Sequence, residues 1–146
     1  MWPSNYEELI AFPSYCTKNQ SEIHSRENKS EHIAVNVDKD NVRQIKIDGD
    51  ILPSNYNKER RADFLVLNET KNTAYLIELK GSHVMSAFHQ VEYTDRKLSD
   101  ALNNHKVYWR VICSSRTTGL NTAAVKKYQK AHPQLILKKG VHRENI

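Results

Sequence analysis

The sequence has no long apolar run, no internal repeat and no Gly/Ser-rich linker. The missing apolar run excludes a membrane-spanning helix, and the missing repeats and linkers exclude an array of small units. The 146 residues are about the size of one ordinary domain. We therefore expect residues 1–146 to form a single soluble domain that does not associate with a membrane.

Cysteine is also scarce, and the first residues do not resemble an export signal. Residues 1–11 are polar and carry Glu7 and Glu8, unlike a signal peptide. The two cysteines, Cys16 and Cys113, are far apart and form no CxxC pair. We expect both to be reduced in the cytoplasm, with Cys113 in the core because its neighbours are apolar.

Basic residues exceed acidic residues, with 22 lysines and arginines against 17 aspartates and glutamates. Such an excess is compatible with a polyanionic partner such as nucleic acid, because cationic side chains displace counterions from phosphates. The charge is spread along the chain and not concentrated in a tail. The balance therefore permits a nucleic-acid partner without identifying one.

Hydrophobic periodicity predicts an α/β sandwich with a central mixed sheet flanked by helices. A short helix is expected to about Phe12, with Ser4 at the spacing of a capping box. The polar stretch 14–31 is interpreted as a helix through Glu22 and Glu27. The remaining predictions are strands over 32–37, 42–47, 62–67, 74–79, 107–113 and 135–137, a helix over 84–102 capped by Ser82, and a basic helix from Asn121 to before Pro133.

The segment RADFLVLNETKNTAYLIELKGS, residues 61–82, carries the most specific pattern. It consists of two apolar runs joined by a turn, which predicts a hairpin covered on both faces. If the hairpin turns symmetrically, Asp63 lies opposite Glu78, with Cβ atoms roughly 4.5–5.5 Å apart. Because side chains alternate between the faces of a strand, Lys80 shares the face of Glu78. The pattern predicts two carboxyl groups and an ammonium group together.

Two buried carboxylates at this distance repel each other, so either one takes up a proton or a cation lies between them. Mg²⁺ and Mn²⁺ select oxygen ligands of this kind and keep water in the rest of their shell. Lys80 is placed to polarise such a water and to neutralise charge on an attacked phosphorus. The plainer alternative is a structural ion pair between Glu78 and Lys80, but the apolar flanks favour a metal site.

The segment resembles the PD-(D/E)xK nuclease superfamily, whose pattern is an Asp on one strand and Glu-x-Lys on the next. These positions match Asp63, Glu78 and Lys80. The resemblance implies a restriction endonuclease-like αβββαβ core, a Mg²⁺ or Mn²⁺ ion held by both acids and the backbone carbonyl of Leu79, and attack by water assisted by Lys80. It covers about residues 20–115 in element order, although the diagnostic motif is short.

Two departures from the family pattern matter. Residue 62 is Ala where the family name has Pro, a common substitution in the superfamily. RecB-type members carry a Gln with a Tyr four residues later, whereas Gln90 is followed by Thr94 and Tyr93 is one place out of register. The second departure argues against the RecB-type branch and not against the superfamily.

Further site residues are expected around the hairpin. The resemblance implies one more acid on the first helix, for which Glu27 is preferred over Glu22. Gln90 is a catalytic candidate that would contact the nucleotide or a metal-bound water, although a structural place at the margin of a packed helix fits equally well. The candidates for nucleic-acid contact, each also consistent with solvated surface, are Lys58, Arg60, Arg61, His83 and Thr94.

The sequence thus predicts a Mg²⁺- or Mn²⁺-dependent endonuclease that hydrolyses phosphodiester bonds of nucleic acid, with DNA favoured over RNA. Two alternatives stay open. One is a nuclease-like module that binds nucleic acid or protein without cutting, and the other is an interaction protein of a defence or toxin–immunity system. A homodimer is considered beside a monomer, because small nuclease cores often pair to cut two strands.

Overall fold

The computed structural model describes residues 1–53, 59–79 and 83–146 of the chain. It is a mixed α/β fold, as the periodicity predicts, and none of its helices in those ranges is long and apolar enough to cross a membrane. The elements in chain order are α1 (Tyr6–Ile10), β1 (Glu22–Glu27), β2 (Ser30–Val35), β3 (Val42–Lys46), β4 (Phe64–Asn68), β5 (Thr73–Leu79), α2 (Val84–Leu98), β6 (Lys106–Cys113), α3 (Ala123–Ala131), β7 (Leu135–Lys139) and β8 (Val141–Asn145).

Five strands form the larger sheet, in the order β3-β4-β5-β6-β7. The first three pair antiparallel in chain order, whereas β6 pairs parallel with both β5 and β7. Parallel neighbours need a crossover, and α2 and α3 lie in the two crossover connections. The sheet is therefore mixed, with its antiparallel part carrying the predicted hairpin.

A second sheet has the order β1-β2-β8, with β1 antiparallel and β8 parallel to β2. The predicted helix through Glu22 and Glu27 is wrong, because this stretch forms β1. Ile23 and Ser25 point inward from β1, and the residues between and after them are exposed. Because Ser25, at the second inward position, is polar, the sequence does not show the alternation of apolar and polar residues that is typical of a strand. The predicted single central sheet is consequently replaced by two sheets.

The two faces of the five-stranded sheet pack against different layers. On one face, Leu65 and Leu76 share a buried cluster with Phe88 of α2. On the other face, Ile77 belongs to a second cluster that includes Ile23 of the smaller sheet. Because β4 and β5 are covered on both faces, their sequences are nearly continuous apolar runs.

The helix ends differ from the predictions by a few residues. The N-cap of α1 is Asn5, whose side chain accepts a hydrogen bond from the first turn. The helix α2 ends at Leu98, and the residue before it, His83, provides no side-chain cap. Ser82, the predicted cap, lies outside the described residues. In α3 the cap is the side chain of Thr122.

Candidate functional site

The hairpin of β4 and β5 has the register that its symmetrical turn predicts. Leu65 pairs with Leu76, and Phe64 pairs with Ile77 at the end of the ladder. Asp63 lies one residue before this last pair. The register therefore brings Asp63 to the end of β5 that carries the second acid of the motif.

Asp63 is held by hydrogen bonds to both neighbouring strands. Its N–H donates to the carbonyl of Ile77 at 3.0 Å, and its own carbonyl accepts from the N–H of Ile47 at 2.9 Å. The side-chain Oδ2 accepts from the N–H of Leu79 at 2.8 Å. The carboxylate oxygen thus accepts the hydrogen bond that a backbone carbonyl of a paired strand would otherwise accept. This bond fixes the carboxyl group at the end of the strand.

Glu78 lies next to Asp63 and is buried, with 1% of its surface exposed. The two carboxyl groups are in hydrogen-bond contact, so they aim at one place and not at different surfaces. The negative charge of Glu78 also reaches Cys113, a core residue: burial, together with Glu78, raises the pKa of the Cys113 thiol to about 11. Both cysteines are free thiols, as expected.

The electrostatics of Asp63 favour a proton or a cation at this point. Burial raises the pKa of Asp63 to about 7, and the nearby carboxylate of Glu27 adds to the rise, although the hydrogen bonds with Leu79 and Glu78 oppose it. A carboxyl group with such a pKa is half protonated near neutral pH. Any positive charge bound beside it would displace the proton.

Glu27 approaches Asp63 from a strand and not from the predicted helix. It is the last residue of β1, and its carboxyl group is within hydrogen-bonding reach of Asp63. Glu22, at the other end of β1, instead contacts His24 and Arg143. The geometry therefore favours Glu27 over Glu22 as the third acid, although the element that carries it was predicted wrongly.

A cavity of about 280 Å³ opens beside Asp63. The side chains that line it combine acidic, basic and aromatic character: Arg26, Glu27, Lys46, Asp48, Asp63 and Phe64. Sequence analysis missed Lys46, which pairs with Phe64 across β3 and β4. No local signal could have found it, because a long connection separates β3 from β4 and leaves their register open.

The basic residues before Asp63 differ in burial and in their contacts. Arg61 is 9% exposed and donates to Asp48 Oδ1 at 3.0 and 3.2 Å. It also donates to the carbonyl of Pro53 at 3.0 Å, so its guanidinium is hydrogen-bonded to other groups of the protein, and its contact with nucleic acid stays a prediction. Arg60 is exposed. Lys58 and Lys80 lie outside the described residues.

The helix α2 positions the Asp63 segment. Thr94 is 0% exposed; its hydroxyl donates to the carbonyl of Gln90 at 2.7 Å and accepts from the N–H of Ala62 at 2.8 Å. The hydroxyl of Thr94 is thus engaged inside the fold, and its contact with nucleic acid stays a prediction. The side chain of Gln90 donates to the carbonyl of Arg61 at 3.2 Å, so it supports the same segment.

His83 directly precedes α2. It is exposed and lines a separate cavity of about 300 Å³ together with Thr118 and Thr122. Its predicted role in phosphate contact would therefore belong to a different surface from the cavity beside Asp63.

Among residues 1–53, 59–79 and 83–146, no group of three or more His, Cys, Asp or Glu side chains is arranged to hold a metal ion as it stands. Comparisons of the chain with protein-family models, with curated proteins and with solved structures give no match. The resemblance to the PD-(D/E)xK superfamily consequently stays a prediction that depends on the motif.

Proposed function

We propose that this protein is a metal-dependent nuclease that cuts phosphodiester bonds within nucleic acid, DNA in preference to RNA. The observation that carries the proposal is the contact between the carboxyl groups of Asp63 and Glu78 at the end of a buried hairpin. Burying two acids together destabilises a fold unless a proton or a cation offsets the repulsion. A site that binds a cation explains why both acids are there.

The donor set fits a hard divalent cation. Asp63, Glu78 and the nearby Glu27 supply only oxygen atoms, which suits Mg²⁺ or Mn²⁺. Asp63 and Glu78 would hold the ion, with Glu27 and the carbonyl of Leu79 as further ligands. When bound, the ion would supply Lewis-acid stabilisation of the phosphoryl group and acidify a water molecule.

The residues around the acids supply rigidity. The bond from the Leu79 N–H fixes the Asp63 carboxyl group, and Thr94 fixes the backbone just before it. Groups held in this way need little reorganisation during a reaction. Lys80 follows Leu79 directly in the sequence, and we assign to its ammonium group the orientation and polarisation of the attacking water.

The order of elements supports a restriction endonuclease-like core. Three antiparallel strands, a helix and a parallel strand follow one another as β3-β4-β5-α2-β6. This succession fits the βββαβ part of the core that the motif implies. The leading helix of that core would be α1, separated from β3 by the hairpin of β1 and β2.

A catalytically silent binding module is the second candidate. It is favoured by the burial of Glu78, which is 1% exposed, because a ligand needs access to the carboxylate that binds it. In this alternative a proton shared between Asp63 and Glu78 would replace the metal ion, and the cavity would bind nucleic acid without cutting.

A cleavage assay separates the two candidates. Plasmid DNA, single-stranded DNA and RNA are incubated with wild-type protein in Mg²⁺, Mn²⁺ or EDTA, beside Glu78→Gln and the control Glu7→Gln, which changes an exposed acid of α1. We expect metal-dependent cutting that Glu78→Gln abolishes and Glu7→Gln retains. Binding without cutting would support the silent module, and neither binding nor cutting would reject both candidates.

A further inference from the structure

Among the described residues that line the cavity beside Asp63, one cation is not neutralised by a carboxylate partner. Arg26 is paired with Glu31, through Nε at 3.0 Å and Nη2 at 2.8 Å. Lys46, by contrast, forms no ion pair with any carboxylate in the described parts of the chain. The ammonium group of Lys46 is therefore available to an anion from outside.

The position of Lys46 is fixed by two neighbours. Its backbone pairs with Phe64, the residue directly after Asp63, and its Nζ lies 4.3 Å from the centre of the Tyr15 ring. The hydroxyl of Tyr15 donates to Asp50 at 2.5 Å, which holds the ring in place. A cation over an aromatic ring gains stability without losing its charge, so Lys46 is oriented but keeps its attraction for an anion.

The acidic side chains of the cavity would repel a phosphate unless a cation such as Lys46 offsets their charge. Glu27, Asp48 and Asp63 line the same walls, and carboxylates repel a phosphate. A bound divalent ion would offset part of this repulsion at the two acids of the motif. Lys46 offsets it beside Phe64, where a neighbouring phosphate of the same strand would lie.

The aromatic residues indicate the form of the nucleic acid. Phe64 is half-buried and lines the cavity, and Tyr15, whose ring contacts Lys46, is 47% exposed. Aromatic side chains bind bases by stacking, which requires bases that are not already stacked in a duplex. The cavity of about 280 Å³ beside Phe64 is where such an unstacked base would lie.

We propose that Lys46 and Phe64 form a subsite for single-stranded nucleic acid, in which Lys46 binds a backbone phosphate and Phe64 stacks against the adjacent base. The subsite rests on the proposed function for its role, since it would hold the strand next to the bond that is cut. With this subsite, the preferred substrate is an unpaired strand or an unpaired end of a duplex.

Binding without divalent metal tests this subsite apart from catalysis. Anisotropy of a labelled single-stranded oligonucleotide is measured in EDTA over a range of salt concentrations. Lys46→Gln is expected to lower the affinity about tenfold and to reduce the salt slope by about 0.7, the value of one phosphate contact on a single strand. Lys46→Arg should restore both, and Phe64→Leu should lower affinity without changing the slope.

The matched control is Lys106, whose Nζ lies 5.4 Å from the ring of Tyr108 at the other end of the sheet. Lys106→Gln should leave affinity and slope unchanged. An unchanged affinity in Lys46→Gln, or an equal loss in Lys106→Gln, would overturn the subsite. Thermal unfolding of each variant is measured to check that the variant keeps the fold.

The metal-dependent cleavage assay separates failure of the subsite from failure of the nuclease. A protein that binds single strands through Lys46 but never cuts them rejects the nuclease and keeps the subsite. A protein that cuts through Glu78, with a KM that Lys46→Gln does not change, keeps the nuclease and rejects the subsite.

Discussion

At the scale of single residues, the candidate site depends on a few buried hydrogen bonds. The carboxyl group of Asp63 is held by Leu79, and the residue before it is held by Thr94. A buried donor that loses its partner costs about 1–3 kcal/mol. These bonds therefore connect the stability of the fold with the placement of the acid.

Replacing Thr94 by Val keeps the volume of the side chain but removes the hydroxyl. The N–H of Ala62 then loses its buried acceptor, so we expect a loss of about 1–3 kcal/mol in the free energy of unfolding. We also expect a lower kcat, because the segment before Asp63 is no longer fixed. Urea unfolding and steady-state cleavage measure the two effects.

The control for this variant is Thr118→Val, which changes an exposed threonine. It should alter neither stability nor kcat. If Thr94→Val matched this control in both measurements, Thr94 would have no role in positioning Asp63.

At the scale of the elements, β8 links the two sheets. Glu144 of β8 accepts from Arg110 of β6 at 2.7 Å and lies 2.7 Å from Nε2 of His32 in β2. Arg110 is 5% exposed and His32 is 0% exposed, so the cluster lies between the layers. Removing one member of a buried ion pair leaves the others uncompensated, which is strongly destabilising.

The Glu144 cluster predicts a pH dependence of stability. Burial alone would raise the pKa of Glu144, but hydrogen bonds with His32 and Arg110 hold the pKa at about 2, below its ordinary value of 4.5. Because the folded pKa is depressed, the stabilisation is present above about pH 4.5 and is lost as the pH falls through about 2. Glu144→Gln should therefore be less stable than wild type near neutral pH, by roughly 3 kcal/mol.

The difference between wild type and Glu144→Gln should shrink as the pH approaches 2, where about half of the wild-type carboxyl groups are protonated. Denaturant unfolding at pH 6, 4 and about 2.5 measures it. A difference that is constant over this range would show that the ionised form of Glu144 does not stabilise the contact between the sheets.

The elements differ in how well the sequence predicts them. The β4–β5 hairpin is predictable because its two apolar runs and its turn are adjacent in the chain, so local symmetry sets the register. The strand β1 is not, because Ser25 occupies an inward position at which a sequence pattern needs an apolar residue. The last strand, β8, is not predicted from the sequence because its residues are exposed or half-buried and all polar except Val141, so no alternation of apolar residues marks it.

At the scale of the whole molecule, the site is only partly encoded by local pattern. Asp63 and Glu78 come from one hairpin and could be paired from the sequence. Glu27 and Lys46 come from β1 and β3, whose places depend on how the two sheets pack and how β3 pairs with β4. Contacts between distant segments have no local periodicity, so the cavity appears only in the folded chain.

The most direct test of the paired acids is calorimetric titration of the protein with Mn²⁺ at neutral pH. We predict one binding site in the wild type, weakened by at least about tenfold in Glu78→Gln, since loss of a group that merely orients a ligand already has an effect of this size. Glu7→Gln should bind as the wild type does. An equal affinity in the wild type and Glu78→Gln, or no binding by the wild type, would contradict the claim that Asp63 and Glu78 hold a metal ion.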